Sequence, residues 1–135
     1  MIRYLADTNI IGYFTRQQHI GLQQRVESTL RAHELAISVV TRAEIRFGQA
    51  LLNENDKRNA TIDLLLEATP TLVWTTQAAD LYGTINAQLR KTGLPIGDLD
   101  VMIAAHALSE NLILVTHNTK HFERIEGLKM EDWTQ

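Results

Sequence analysis

Leu112-Ile113-Leu114-Val115-Thr116 is apolar on successive residues and rich in β-branching, so a strand built from it has two apolar faces and needs cover on both. Before it, residues 98–111 carry Met102, Ile103, Ala105, Ala107 and Leu108 and read as a helix. After it, His117-Asn118-Thr119-Lys120-His121 is polar and reads as a loop. A strand that follows a helix and is buried on both faces belongs to a parallel sheet with helices on either side, an α/β fold.

The same alternation recurs upstream. Residues 2–6 form a short apolar run that stops at Asp7, the pattern of a buried strand, and residues 10–14 read as a short helix whose start is supplied with capping side chains. Residues 21–33 read as a helix with Leu22, Val26 and Leu30 on one face. Residues 35–40 give a second strand, and the Thr-x-x-Glu spacing of Thr41 and Glu44 marks the start of a helix running to about Asn53. Residues 56–67 are helical by pattern, 71–74 a third strand, and 77–91 a long helix, while two glycines and a proline make 91–97 a loop.

A chain of 135 residues with no repeat or linker fits one domain, residues 1–135, around one hydrophobic core. It is 44% hydrophobic and 21% charged, the composition of a folded protein. The formal charge of −3 argues against a nucleic-acid coat protein, although bound divalent cations can reverse the sign of an acidic cleft locally. Without cysteine there are no disulfides, thiolate zinc sites or cysteine nucleophiles, which suits a reducing cytoplasm. The apolar run before Asp7 is too short for a signal peptide or membrane span, so the expectation is a soluble, cytoplasmic protein with no membrane partner.

In open α/β sheets ligands gather beyond the carboxyl ends of the strands. Asp7 follows the first strand, Thr41 and Glu44 follow the second, His117 and Asn118 follow the last, and Asp98 and Asp100 open a helix. Singly, each acid has a structural use: Asp7 and Asp98 as helix caps, Glu44 as the partner of Thr41, Asp100 at the positive end of a helix dipole. Jointly, four carboxylates at one end of a sheet repel one another unless a cation neutralises them. All-oxygen ligation suits Mg²⁺ or Mn²⁺, which activate water and neutralise charge on an attacked phosphodiester.

Four blocks in order carry a resemblance: Leu5-Ala6-Asp7-Thr8-Asn9, Thr41-Arg42-Ala43-Glu44-Ile45-Arg46-Phe47-Gly48, residues 93–107 from Gly93 through Asp98-Leu99-Asp100 to Ala107, and residues 115–122 from Val115 to Phe122. Together they resemble the PIN-domain toxins of the VapC type over essentially the whole chain, down to Glu131-Asp132-Trp133. The resemblance implies a three-layer α/β/α fold with a central parallel sheet and Mg²⁺- or Mn²⁺-dependent endoribonuclease activity. It also implies a homodimer, a VapB-like antitoxin partner and an RNA substrate such as a transfer RNA loop. Asp7, Glu44 and Asp100 fall on the family's three acidic positions, Asp100 matching better than Asp98 because it stands three residues before Ile103-Ala104-Ala105. Asp98 is an auxiliary metal ligand. Asn118 stands where many relatives carry a fourth acid; its amide oxygen can still orient a water.

Around the acids, Thr8, Asn9 and Thr116 are expected to hold ligands or loops in place, Asn9 by side-chain-to-backbone bonds. His117 and His121 lack the context of a zinc hydrolase, and His106 reads as a partly buried polar contact. Arg42, Arg46, Arg90, Lys91, Lys120 and Arg124 are the cations available for an RNA backbone, Trp74 and Trp133 pack, and the apolar faces of 10–14, 22–30 and 77–89 offer dimer or antitoxin surface. Two other readings compete. An aspartyl-phosphate protein lacks its second acid, since position 9 is Asn, and a non-catalytic PIN-like RNA- or protein-binding module has no reason to keep three acids.

Overall fold

Tyr4–Ala6 (β1) is the centre of the sheet because three consecutive buried residues with no charge can be flanked on both edges and covered on both faces. The structure is a computed structural model that describes residues 1–135. In chain order the other elements are α1 (Thr8–Thr15), α2 (Ile20–Arg31), β2 (Leu35–Ser38), α3 (Val39–Ala50), α4 (Arg58–Ala68), β3 (Thr71–Leu72), α5 (Thr76–Lys91), α6 (Asp98–Ser109), β4 (Ile113–Val115), α7 (Thr119–Phe122) and β5 (Met130–Glu131). The five strands are all parallel, in the order β3-β2-β1-β4-β5.

Alternation along the strands divides the core in two. Leu5, Ala36 and Leu114 pack with Leu89 of α5 and Val101, Ile103, Ala104 and Ala107 of α6. Tyr4, Ala6, Leu35, Ile37 and Val115 pack on the opposite face with Ile10 and Ile11 of α1, Leu22 and Val26 of α2, and Leu65 and Leu66 of α4. The result is three layers, helix on sheet on helix. No helix is long and apolar enough to cross a membrane.

Register brings the site together. Ala6 pairs with Ile37 on one side and with Val115 on the other, so the next residues, Asp7, Ser38 and Thr116, emerge side by side at one edge.

Several expectations change. The second strand ends at Ser38, whose hydroxyl accepts from the Val40 N–H at 3.1 Å, so the cap of α3 stands three residues before the Thr41 that the capping-box spacing suggests, and no capping box forms. The segment read as a loop at 117–121 contains the short helix α7, and β5 adds an edge strand. The apolar faces at 10–14 and 22–30 go largely inward, with Ile10, Ile11, Leu22 and Val26 fully or almost fully buried. The large exposed apolar side chains lie elsewhere, among them Phe47 on α3, Leu51 just after it and Leu99 on α6.

Candidate active site

Asp7 leaves β1 with its backbone still extended, and one carboxylate oxygen accepts from the Ile10 N–H at 2.9 Å, capping α1. It is only 4% exposed, unusual for a carboxylate without a cationic partner. Burial pushes its carboxyl up to about 6; hydrogen bonds from the Thr116 hydroxyl and Ile10 N–H oppose the rise, and the charges of Asp100 and Glu44 add to it. The Thr116 hydroxyl also accepts from the Asn118 N–H at 3.0 Å, which ties the end of β4 to the same point.

Glu44 reaches the group from α3. Thr41 and Glu44, three residues apart, share a helix face, and the Thr8 hydroxyl donates to Glu44 Oε1 at 2.6 Å while lying 3.5 Å from the Thr41 hydroxyl. Asp100 comes from the first turn of α6; burial raises its carboxyl and the nearby His121 ring opposes the shift. None of the chain's ion pairs involves Asp7, Glu44 or Asp100.

Asp98 is turned elsewhere. It is exposed, and its Oδ1 accepts from Arg90 at 3.0 Å and Asn86 at 3.1 Å, which together hold its carboxyl low. Asn9 is an exposed residue of α1 that lines a neighbouring pocket, not a residue that ties the Asp7 loop. Asn118 donates its amide to His121 Nδ1 at 2.7 Å. His121, set aside in the sequence together with His117 as a zinc ligand, is brought beside Asn118 and Asp100 only by the α7 turn. His117 takes different partners, Asp132 at 3.1 Å and Thr134 at 2.9 Å.

The donors fit a hard cation. Three carboxylates and hydroxyl or amide oxygens, with no thiolate and no arginine or lysine paired to the acids, form the donor set that Mg²⁺ or Mn²⁺ takes through a few carboxylates and retained waters. The side chains do not close on a common point: no three histidine, aspartate or glutamate groups make a ready-formed coordination sphere.

Beside the acids, Thr8 and Glu44 form one wall of a pocket of about 300 Å³ between α1, α3 and α4, rimmed by Arg16, Gln49 and Arg58. Neither arginine was among the cations singled out from the sequence. Of those that were, Arg42 donates to Thr71, Arg46 pairs with Asp63 and Arg90 with Asp98.

A five-stranded parallel sheet between helix layers, with a buried acid after its central strand and two more acids delivered by α3 and α6, defines the PIN-domain class, and the PIN domain matches residues 4–128. Ribonuclease VapC1 of Haemophilus influenzae (strain R2866) is 38% identical over 132 residues, 98% of each chain. The tRNA(fMet)-specific endonuclease VapC of Shigella flexneri is 34% identical over 134 residues, covering 99% of this chain and all of that one. The solved VapBC-1 structure from nontypeable Haemophilus influenzae contains a chain that superimposes with a TM-score of 0.87 at 39% identity, each chain covered in full. The protein belongs to the VapC family of PIN-domain proteins.

Proposed function

We propose that the chain is a metal-dependent endoribonuclease, the toxin of a toxin–antitoxin pair, with Asp7, Glu44 and Asp100 holding Mg²⁺ or Mn²⁺. The observation that carries this is the Asp7 carboxylate, buried without a cation and facing the charges of two further acids. Such a group is costly in water alone and is relieved by a divalent ion. When bound, the ion supplies Lewis acidity towards a phosphodiester and a more acidic water.

The chain's own residues do the rest. Thr8 fixes the Glu44 carboxylate, and Thr116 and the start of α1 fix Asp7, so that two of the three acids are oriented before substrate arrives. Asn118 and His121 lie on the Asp100 side. Arg16, which has no acidic partner, stands at the rim of the adjoining pocket, where it meets phosphates flanking the cleaved bond, while Arg58 beside it is paired with Asp56. Transfer RNA is the first substrate to try, since a relative of similar length is named for that specificity. Solved relatives in complex with their antitoxins support a VapB-like partner for this chain, and a second copy of the chain is the other expected partner.

The test is cleavage of total transfer RNA by the purified protein with Mn²⁺, with EDTA, and by Asp7→Asn. Cleavage that requires the metal and disappears in a folded Asp7→Asn supports the reading. If Mn²⁺ neither supports cleavage nor raises the melting temperature, a non-catalytic RNA- or protein-binding role takes its place.

A further inference from the structure

His106 lies within α6 with none of its surface exposed. Its Nδ1 is 2.8 Å from the Ser38 hydroxyl, and its Nε2 is 2.8 Å from a carboxylate oxygen of Glu110, one turn further along the helix. Ser38 also accepts from the Val40 N–H as the cap of α3, so one hydroxyl joins the start of α3 to the imidazole Nδ1 on α6. The Glu110 oxygen is close to Nε2 but out of line for a hydrogen bond, so Ser38 is the ring's directional partner. The Trp74 ring meets the imidazole edge-on at 5.7 Å.

This contact joins the two helices that deliver acids. Ser38 stands six residues before Glu44, at the start of α3, and His106 six residues after Asp100, on α6. Towards the acids the same two helices border an open cavity of about 580 Å³, lined by Val40, Ala43, Glu44, Phe47, Leu99 and Met102. Val40 of α3 shares a buried apolar cluster with Val101, Ile103 and Ala104 of α6, a contact that holds the two helices together without fixing their spacing by direction. A fully buried, directional bond at the sheet edge supplies the constraint that apolar contacts there do not.

We infer that His106 is a positioning residue of the acid site: its hydrogen bond with Ser38 sets the spacing of α3 and α6, and with it the span between Glu44 and Asp100 available to a divalent ion. The inference rests on the metal-nuclease reading.

Asparagine places its amide where the imidazole has Nδ1, and glutamine reaches to where it has Nε2. His106→Asn therefore keeps a partner for Ser38, whereas His106→Gln keeps one for Glu110, and both lose the ring that meets Trp74. Mn²⁺ affinity is read on the full chain from the electron paramagnetic resonance signal of free Mn²⁺, with melting temperatures measured alongside. His106→Asn is expected to stay within about threefold of the parent, while His106→Gln and Ser38→Ala weaken binding by about tenfold or more. Glu110→Gln is expected to bind as the parent does. Equal losses in His106→Asn and His106→Gln, or parental affinity in Ser38→Ala, would overturn the inference and leave His106 a packing residue. Should either histidine variant fail to fold, Ser38→Ala against Glu110→Gln decides. A parent that binds no Mn²⁺ removes the metal reading and this inference together, whereas a parent that binds with Ser38→Ala unaffected removes this inference alone.

Discussion

Asp7 carries a stability cost in the folded chain. Its carboxyl, pushed from 3.8 to about 6 mainly by burial, binds a proton more tightly in the folded chain than in the unfolded one. In metal-free protein, across the window between those values, the folded state keeps a proton that the unfolded state has released. Stability from this group therefore falls as pH rises from about 4 to about 6 and stays low above it, a cost on the order of 3 kcal/mol. Asparagine keeps an oxygen for the Ile10 N–H and removes the charge. Asp7→Asn is thus expected to melt above the parent at about pH 7.5 in EDTA, with the gap closing near pH 4. Calorimetry across that range checks it, and a parent that melts higher at neutral pH would show Asp7 to be paired after all. Excess Mn²⁺ should raise the parent's melting temperature but not the variant's. Asp7 follows a strand and Asp100 opens a helix at readable boundaries, whereas Glu44 lies inside α3 and was singled out by a capping-box spacing that the structure does not use and by the family resemblance. The position of His121 was not legible, because its place beside Asn118 depends on a single turn of helix with no periodicity to read.

At the scale of elements, the ambiguity between Asp98 and Asp100 is geometric. Both lie in the first turn of α6, and two residues apart on a helix they point about 200° away from each other, so only one can face the sheet edge. Asp100 takes that side, and Asp98 faces Asn86 and Arg90 of α5, tying α6 to α5. Asp98→Asn is expected to leave Mn²⁺ affinity and cleavage unchanged and to lower the melting temperature slightly; a clear loss of Mn²⁺ affinity would return Asp98 to the ligand set. The start of α3 was misread for a related reason. Val39 and Val40 continue a β-branched run, and Thr41 with Glu44 has the spacing of a capping box, yet the register of β2 leaves Ser38 at the edge with a hydroxyl ready to cap. The long helices and the apolar strands were readable from period and composition. The two-residue strands β3 and β5 were not readable in full, since their pairing is decided by neighbouring strands and not by their own residues.

Over the whole molecule, net charge and local charge pull in opposite directions. A chain at −3 with an acidic cluster repels RNA, so binding has to come from cations placed beside the cluster. Arg58 is held by Asp56 at 2.8 Å, whereas Arg16 has no acidic partner and its guanidinium lies 5.6 Å from the Tyr13 ring centre. Arg16→Ala is expected to raise KM for transfer RNA while leaving kcat near the parental value, and to make the dependence of binding on salt shallower by about one phosphate contact. An unchanged salt slope would take Arg16 off the RNA path. The exposed apolar surface points to the other partner. Phe47 on α3 and Leu51 at the cap that ends it are 68% and 73% exposed, and Phe47 and Leu99 line the same cavity as Thr8 and Glu44. Single exposed apolar residues are ordinary, but a group adjoining the acid cluster is the kind of surface that a second subunit covers. Light scattering should find the parent dimeric and Phe47→Glu monomeric. Because that face borders Glu44, the monomeric variant should also cleave RNA less efficiently; a parent that is monomeric at working concentration would leave the apolar group to a different partner.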